Sequence, residues 1–295
     1  MRNTLKKRGV LAGADTSSTR ALQRANQLME NSRYIRSLNN PECKIYYGEN
    51  DFQIIIYKDG SDPKLTDVQN LFNKVFCAGE VEDEKMLRCA INGLTPWGTP
   101  DAKYKVIGIL DKEGHLLSVC AGTTISISEN KMIHCIEYAV TNPDARQGGL
   151  AREAYISSLL DAIETAKANW KELCLMIGEC TPGSEVFWNN LGWKRIYVES
   201  FGTHTEVPYT QPALEFNPKT GYVSPNASEV IEHMMLDSFG GDITIKDLIN
   251  AHEALVRHTA EWPIEAFNSK EAHLRHVKYI ENLVQRFVRF VQKYD

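Results

Sequence analysis

Apolar and polar positions along this chain follow two rhythms, and the changes between them mark its elements. "FQIIIYK" at 52–58 is a continuous apolar run rich in β-branched residues and predicts a buried strand. After the turn "DGSDP", "DVQNLFNKVFCAG" places Val68, Leu71, Phe72, Val75 and Phe76 on one side, which predicts a helix. "EDEKMLRCAIN" predicts a second, shorter helix, and "GLTPWGTPD" a loop. Three strand-length runs follow: "KYKVIGILD", "HLLSVCAGTTISI" and "MIHCIEYAV". Their connections, "KEG" and "SENK", are short enough to make them antiparallel neighbours. A helical pattern runs from Gly149 to Ala168 through Ala151, Ala154, Tyr155, Leu159, Ile163 and Ala166. Then come the strand "ELCLMIGEC", a short helix "SEVFWNNLG" ending at Gly192, and the strand "WKRIYVES". The order predicts an α/β fold with a mixed, mostly antiparallel central sheet flanked by helices.

Both ends carry other patterns. Residues 1–41 read as a basic arm with one helix over Thr19–Leu38, striped by Ala21, Ala25, Leu28 and Ile35 and closed by Pro41. Beyond the sheet domain at 42–205, residues 206–295 read as a loop over Pro208–Pro225 and then a C-terminal helical extension. Its three predicted helices are "SEVIEHMMLDSF", "IKDLINAHEALVRHTAEW" and "KEAHLRHVKYIENLVQRFVRFVQKY". The last has an apolar stripe through Leu274, Val277, Ile280, Val284, Phe287 and Val291.

Composition narrows the classes. Of 295 residues, 43% are hydrophobic and 24% charged, as in a globular protein, and the net charge of −5 gives no global reason to expect nucleic acid. No apolar run approaches the roughly 18 residues of a membrane span. The 7 cysteines include no CxxC pair and sit mostly inside apolar runs, which suits reduced thiols in a cytoplasmic protein and no metal. The arm changes the picture locally: eight Arg and Lys face only Asp15 and Glu30 before residue 41. That composition is similar to a mitochondrial transit peptide; a solvated arm that packs on a neighbour, or docks RNA, fits it too. The "NAS" sequon at Asn226 reads as a helix start.

Chemistry enters at "NPDARQGGLAREAY", residues 142–155, where a strand meets a helix through two glycines. A helix start has unpaired N–H groups and the positive end of the helix dipole. Glycines let an anion approach those N–H groups, and Arg146 adds a full charge. The Gly-Lys-Ser/Thr ending of a Walker loop and the Gly-x-Gly-x-x-Gly of a Rossmann turn are both missing.

The run Arg146-Gln147-Gly148-Gly149-Leu150-Ala151, led in by Pro143-Asp144, resembles the Arg/Gln-x-x-Gly-x-Gly/Ala signature of the GNAT superfamily of acyl-CoA-dependent N-acyltransferases. "EVFWNNLGWKRIYV" from Glu185 is similar to that family's later segment, and the element order over residues 50–200 fits as well. The resemblance implies coenzyme A with its pyrophosphate on Arg146–Ala151. Its pantetheine arm would lie between two splayed strands, paired to the backbone of Ala139, Val140 and Thr141. It implies acyl transfer, of acetyl above all, to an amine, with a small molecule as the expected acceptor.

Such a transfer needs a base for the amine proton. Glu137, inside the apolar strand "CIEYAV", is the first candidate, and Glu179 at the end of the next strand the second. The family's commonest base position falls nearer Cys135. Where many members place a tyrosine acid stands Trp188, expected to pack on the cofactor or in the core. Tyr138, Tyr209 or water would then supply the proton. The displaced base and Trp188 support the alternative of a non-catalytic acyl-CoA-binding sensor or scaffold. His252, His258, His273 and His276 read as surface or boundary residues, and a homodimer is left open.

Overall fold

The computed structural model describes residues 17–37, 44–47, 50–76, 80–81, 83–93, 102–146, 148–200, 203–213, 216–224, 233–262 and 264–293. Helix α1 (Ser17–Glu30) is followed by β1 (Ile35–Ser37), β2 (Lys44–Tyr47) and β3 (Asn50–Tyr57). Next come α2 (Leu65–Val75), α3 (Glu84–Ile91), β4 (Lys103–Leu110), β5 (Leu116–Ser126) and β6 (Lys131–Thr141). The glycine turn leads into α4 (Leu150–Ala168), then β7 (Glu172–Cys180), α5 (Glu185–Asn190), β8 (Lys194–Arg195), β9 (Tyr197–Ser200) and β10 (Thr203–Glu206). The chain continues through β11 (His233–Asp237), α6 (Ile245–Ala260) and α7 (Lys270–Gln292).

The main sheet has the order β1-β2-β3-β4-β5-β6-β7-β11-β8, and β9 pairs with β10 separately. Every neighbouring pair in it is antiparallel except β6 and β7, which are parallel because α4 crosses between them. The expected α/β class and mixed, mostly antiparallel sheet are what the chain adopts. Side-chain alternation divides the core by face. Met132, Ile136 and Met176 pack with α1 and α4 on one face. Ile133, Cys135, Leu175 and Ile177 pack with α6 and α7 on the other. Val106, Val119 and Ala121 turn to the second face too, under α2 and α3.

Four sequence expectations change. The helix expected over Thr19–Leu38 ends at Glu30, and Ile35 belongs to β1. Asn31 turns its side-chain amide back to the Gln27 carbonyl at 2.8 Å, occupying one of the last free carbonyls of the helix. "SEVIEHMMLDSF" is a strand in its described part: β11 pairs with β7 from His233↔Cys180 to Asp237↔Met176. "WKRIYVES" divides between β8, which joins the main sheet through β11, and β9, which leaves it. Leu274, placed on the apolar stripe of the last helix, is 54% exposed, because the packed face of α7 begins at Ala272 and His276.

Candidate active site

The glycine turn is built from its flanks inward. Asn142 caps a single 3-10 turn over Pro143–Ala145, its side chain accepting from the Asp144 N–H, and Lys74 binds both residues from α2. Gly149 then takes the N-cap of α4 at φ 82°, a left-handed conformation that suits glycine, and no side chain caps the helix. Gln147 lies outside the described residues. Arg146 is exposed beside the turn. A second cation, not expected from the sequence, comes from the segment after α1: a Cβ added at Gly149 would meet Arg33 Nε at 3.3 Å. Tyr34 fixes that segment by donating its hydroxyl to the Gly148 carbonyl. Uncapped N–H groups with Arg33 beside them and Arg146 in the same turn fit a phosphate-bearing ligand. Leu150 is buried below the turn, and Ala151 half-buried.

At the same end of the sheet the ladder between β6 and β7 stops. Its last pairs are Cys135↔Ile177 and Ile136↔Gly178, and neither Glu137–Thr141 nor Glu179–Cys180 continues it. On its other edge β6 stays paired, with Ala139, Val140 and Thr141 opposite Cys120, Val119 and Ser118. The register slips between Ala121 and Gly122, so Glu137 is the extra residue of a bulge. Glycines make the close approach possible. A Cβ at Gly122 would lie 2.2 Å from the Cys135 carbonyl oxygen, and one at Gly178 2.9 Å from that of Ile136.

Both candidate carboxylates stand at this opening, on the face covered by α6 and α7. Glu137 Oε1 accepts from Thr123 Oγ1 at 2.8 Å and lies 2.7 Å from His258 Nε2, which is itself 2.7 Å from Thr123 Oγ1. Both contacts fall on Oε1; Glu137 Oε2 has no partner among the described residues. The Glu137 and His258 side chains are only 12% and 6% exposed, so the pair is largely screened from water. Glu179 accepts from the Tyr209 hydroxyl. Cys135, nearest the family's usual base position, is fully buried; burial first, then the Glu137 and Glu179 charges, push its thiol well above the ordinary range, so it stays protonated.

Trp188 is 5% exposed and walled by Phe187, Trp193 and Tyr155, with ring centroids at 5.0, 4.7 and 6.1 Å. Its place is in the core on the α1/α4 face. Tyr138 packs on Phe72 at 4.7 Å, while Tyr209 reaches the Glu179 carboxylate. His252, His258 and His276 are buried rather than at the surface. His258 and Thr123 are the site residues that sequence pattern missed. The helical pattern reads His258 as a surface or boundary residue and does not show that α6 brings it over β5.

No family model and no curated protein matches the chain. Solved structures do, at low identity. An acetyltransferase from Streptococcus agalactiae matches with a TM-score of 0.37 and 13% identity, over 63% of this chain and 98% of its own. The ribosomal-protein-S18-alanine N-acetyltransferase from Escherichia coli matches at 0.38 and 10%, over 64% and 95%. Arabidopsis thaliana Naa50, in complex with the bisubstrate analogue CoA-Ac-MVNAL, matches at 0.37 and 11%, over 63% and 98%. All three likenesses are of overall fold, at low identity.

Proposed function

We propose that the protein moves an acyl group, acetyl above all, from coenzyme A to the amine of a small molecule, with Glu137 as general base. The observation that supports this most is the bulge at the end of the β6–β7 ladder. It sets a carboxylate there with one oxygen held by Thr123 and His258 and the other without a partner among the described residues.

Coenzyme A would supply the acyl group as a thioester. Arg146, Arg33 and the uncapped start of α4 would hold its phosphates, and the gap between β6 and β7 would take its arm beside Ala139–Thr141. Glu137 Oε2 takes the proton that the amine must lose as its nitrogen bonds to the acyl carbon. His258 and Thr123 hold the carboxylate in one rotamer, so its basic lone pair is already aimed. The Tyr209 hydroxyl, held by Glu179, carries the proton that the departing sulfur needs.

Glu137→Gln keeps the shape and removes the base. Acyl transfer to a panel of amines should fall by about 10²–10⁴-fold, while calorimetry gives an unchanged Kd for acetyl-CoA. A wild-type protein that binds acetyl-CoA and acylates no amine in the panel would favour the sensor or scaffold instead.

A further inference from the structure

Behind the candidate site, a cavity of about 340 Å³ lies between the strand-free segment at 208–210, α6 and the last turns of α7. The end of α7 lines it with both apolar and charged residues: Leu283, Phe287 and Phe290 alternate with Arg286, Arg289 and Lys293. Among the described residues no carboxylate pairs with any of these three cations; Arg289 only reaches the Gln285 carbonyl along its own helix. Three neighbouring cations without an acid repel one another, an arrangement that an anion relieves.

The lining also includes a ring without a hydrogen bond. His252 is 2% exposed, and its Nδ1 has no partner among the described residues. Its ring lies flat on Phe287, at 3.7 Å and 6°. A buried ring without a hydrogen-bond partner is costly, and a ligand group that pairs with it offsets that cost.

We propose that this cavity binds a small organic anion with an apolar body. The body lies against Leu283 and Phe287, the anionic group meets Arg286, Arg289 and Lys293, and a polar atom of the ligand pairs with His252. The site is distinct from the coenzyme turn, which lies at the start of α4. It is nonetheless close to the chemistry. Pro208 and Thr210, both lining residues, flank Tyr209, whose hydroxyl donates to Glu179.

Calorimetry on the full chain with 3-phenylpropanoate, 3-phenylpropan-1-ol and inorganic phosphate separates the contributions of charge and apolar body. The acid should bind about tenfold more tightly than either control. Arg286→Ala/Arg289→Ala, both exposed and outside the proposed transfer machinery, should weaken it about tenfold without changing the circular dichroism or the acetyl-CoA Kd. Leu283→Trp should block the cavity and lose the acid, and the His252 ring resonances should move on titration only in the wild type. Equal binding of acid and alcohol, binding that survives the double arginine variant, or no binding of the acid at all would overturn the assignment. Because the readout is binding, it stands whether or not acyl transfer is found.

Discussion

Single residues carry unequal weight here. Gly149 holds φ 82°, and a side chain there would be strained and would press on Arg33. Gly149→Ala should cost about 1–2 kcal/mol of stability, as left-handed L-residues do. It should also raise the acetyl-CoA Kd, measured by calorimetry, which Glu137→Gln leaves unchanged. The buried histidines set a second expectation. Burial lowers His134 and His252 to about 3 and His276 to about 4, against the ordinary histidine value of 6.5. At neutral pH both folded and unfolded forms are uncharged and nothing is lost. As pH falls below 6.5 the unfolded chain takes up protons that the fold refuses, so stability drops from there toward the folded values. Asp161 and Asp237, raised by burial, act in the opposite sense. Urea unfolding at neutral pH and at about pH 4.5 should show His252→Phe losing about 2–3 kcal/mol less than the wild type over that interval.

At the scale of elements, local pattern and long-range pairing divide what could be read from the residues. The turn at 142–155 was legible because strand, glycines and helix are contiguous, and each signals through its own neighbours. β11 was not. Val230, Ile231, Met234 and Met235 repeat at a helical spacing, yet the vacant edge of β7 captures the last two as strand. Glu137 could be picked out as a carboxylate in an apolar strand. Its bulge and its partners could not, since they depend on β5 and α6, distant in sequence. One such distant link can be tested. Arg24 of α1 pairs with Asp237 at the end of β11 at 3.0 Å, and Asp237 is 2% exposed. Breaking a buried pair strands a charge, so Arg24→Ala should cost about 3 kcal/mol by chemical denaturation. Replacing both residues with apolar ones should cost less.

For the molecule as a whole, the expected division at residue 205 meets a sheet that uses both sides of it. β8 touches the main sheet only through β11, and the Glu137 cluster is closed by His258 on α6. A chain ending at residue 205 should therefore lack cooperative unfolding and be cut rapidly by trypsin, whereas the full chain resists. No helix among the described residues is long and apolar enough to cross a membrane. The order of strands has a further consequence, in time. During synthesis β7 and β8 leave the ribosome well before β11, so β7 must wait with one edge bare. Glu179 sits on that waiting strand, and its Tyr209 partner precedes β11 in the chain. The molecule therefore completes its central sheet and its candidate site late, and a stalled nascent chain would lack both and be prone to pairing with another copy.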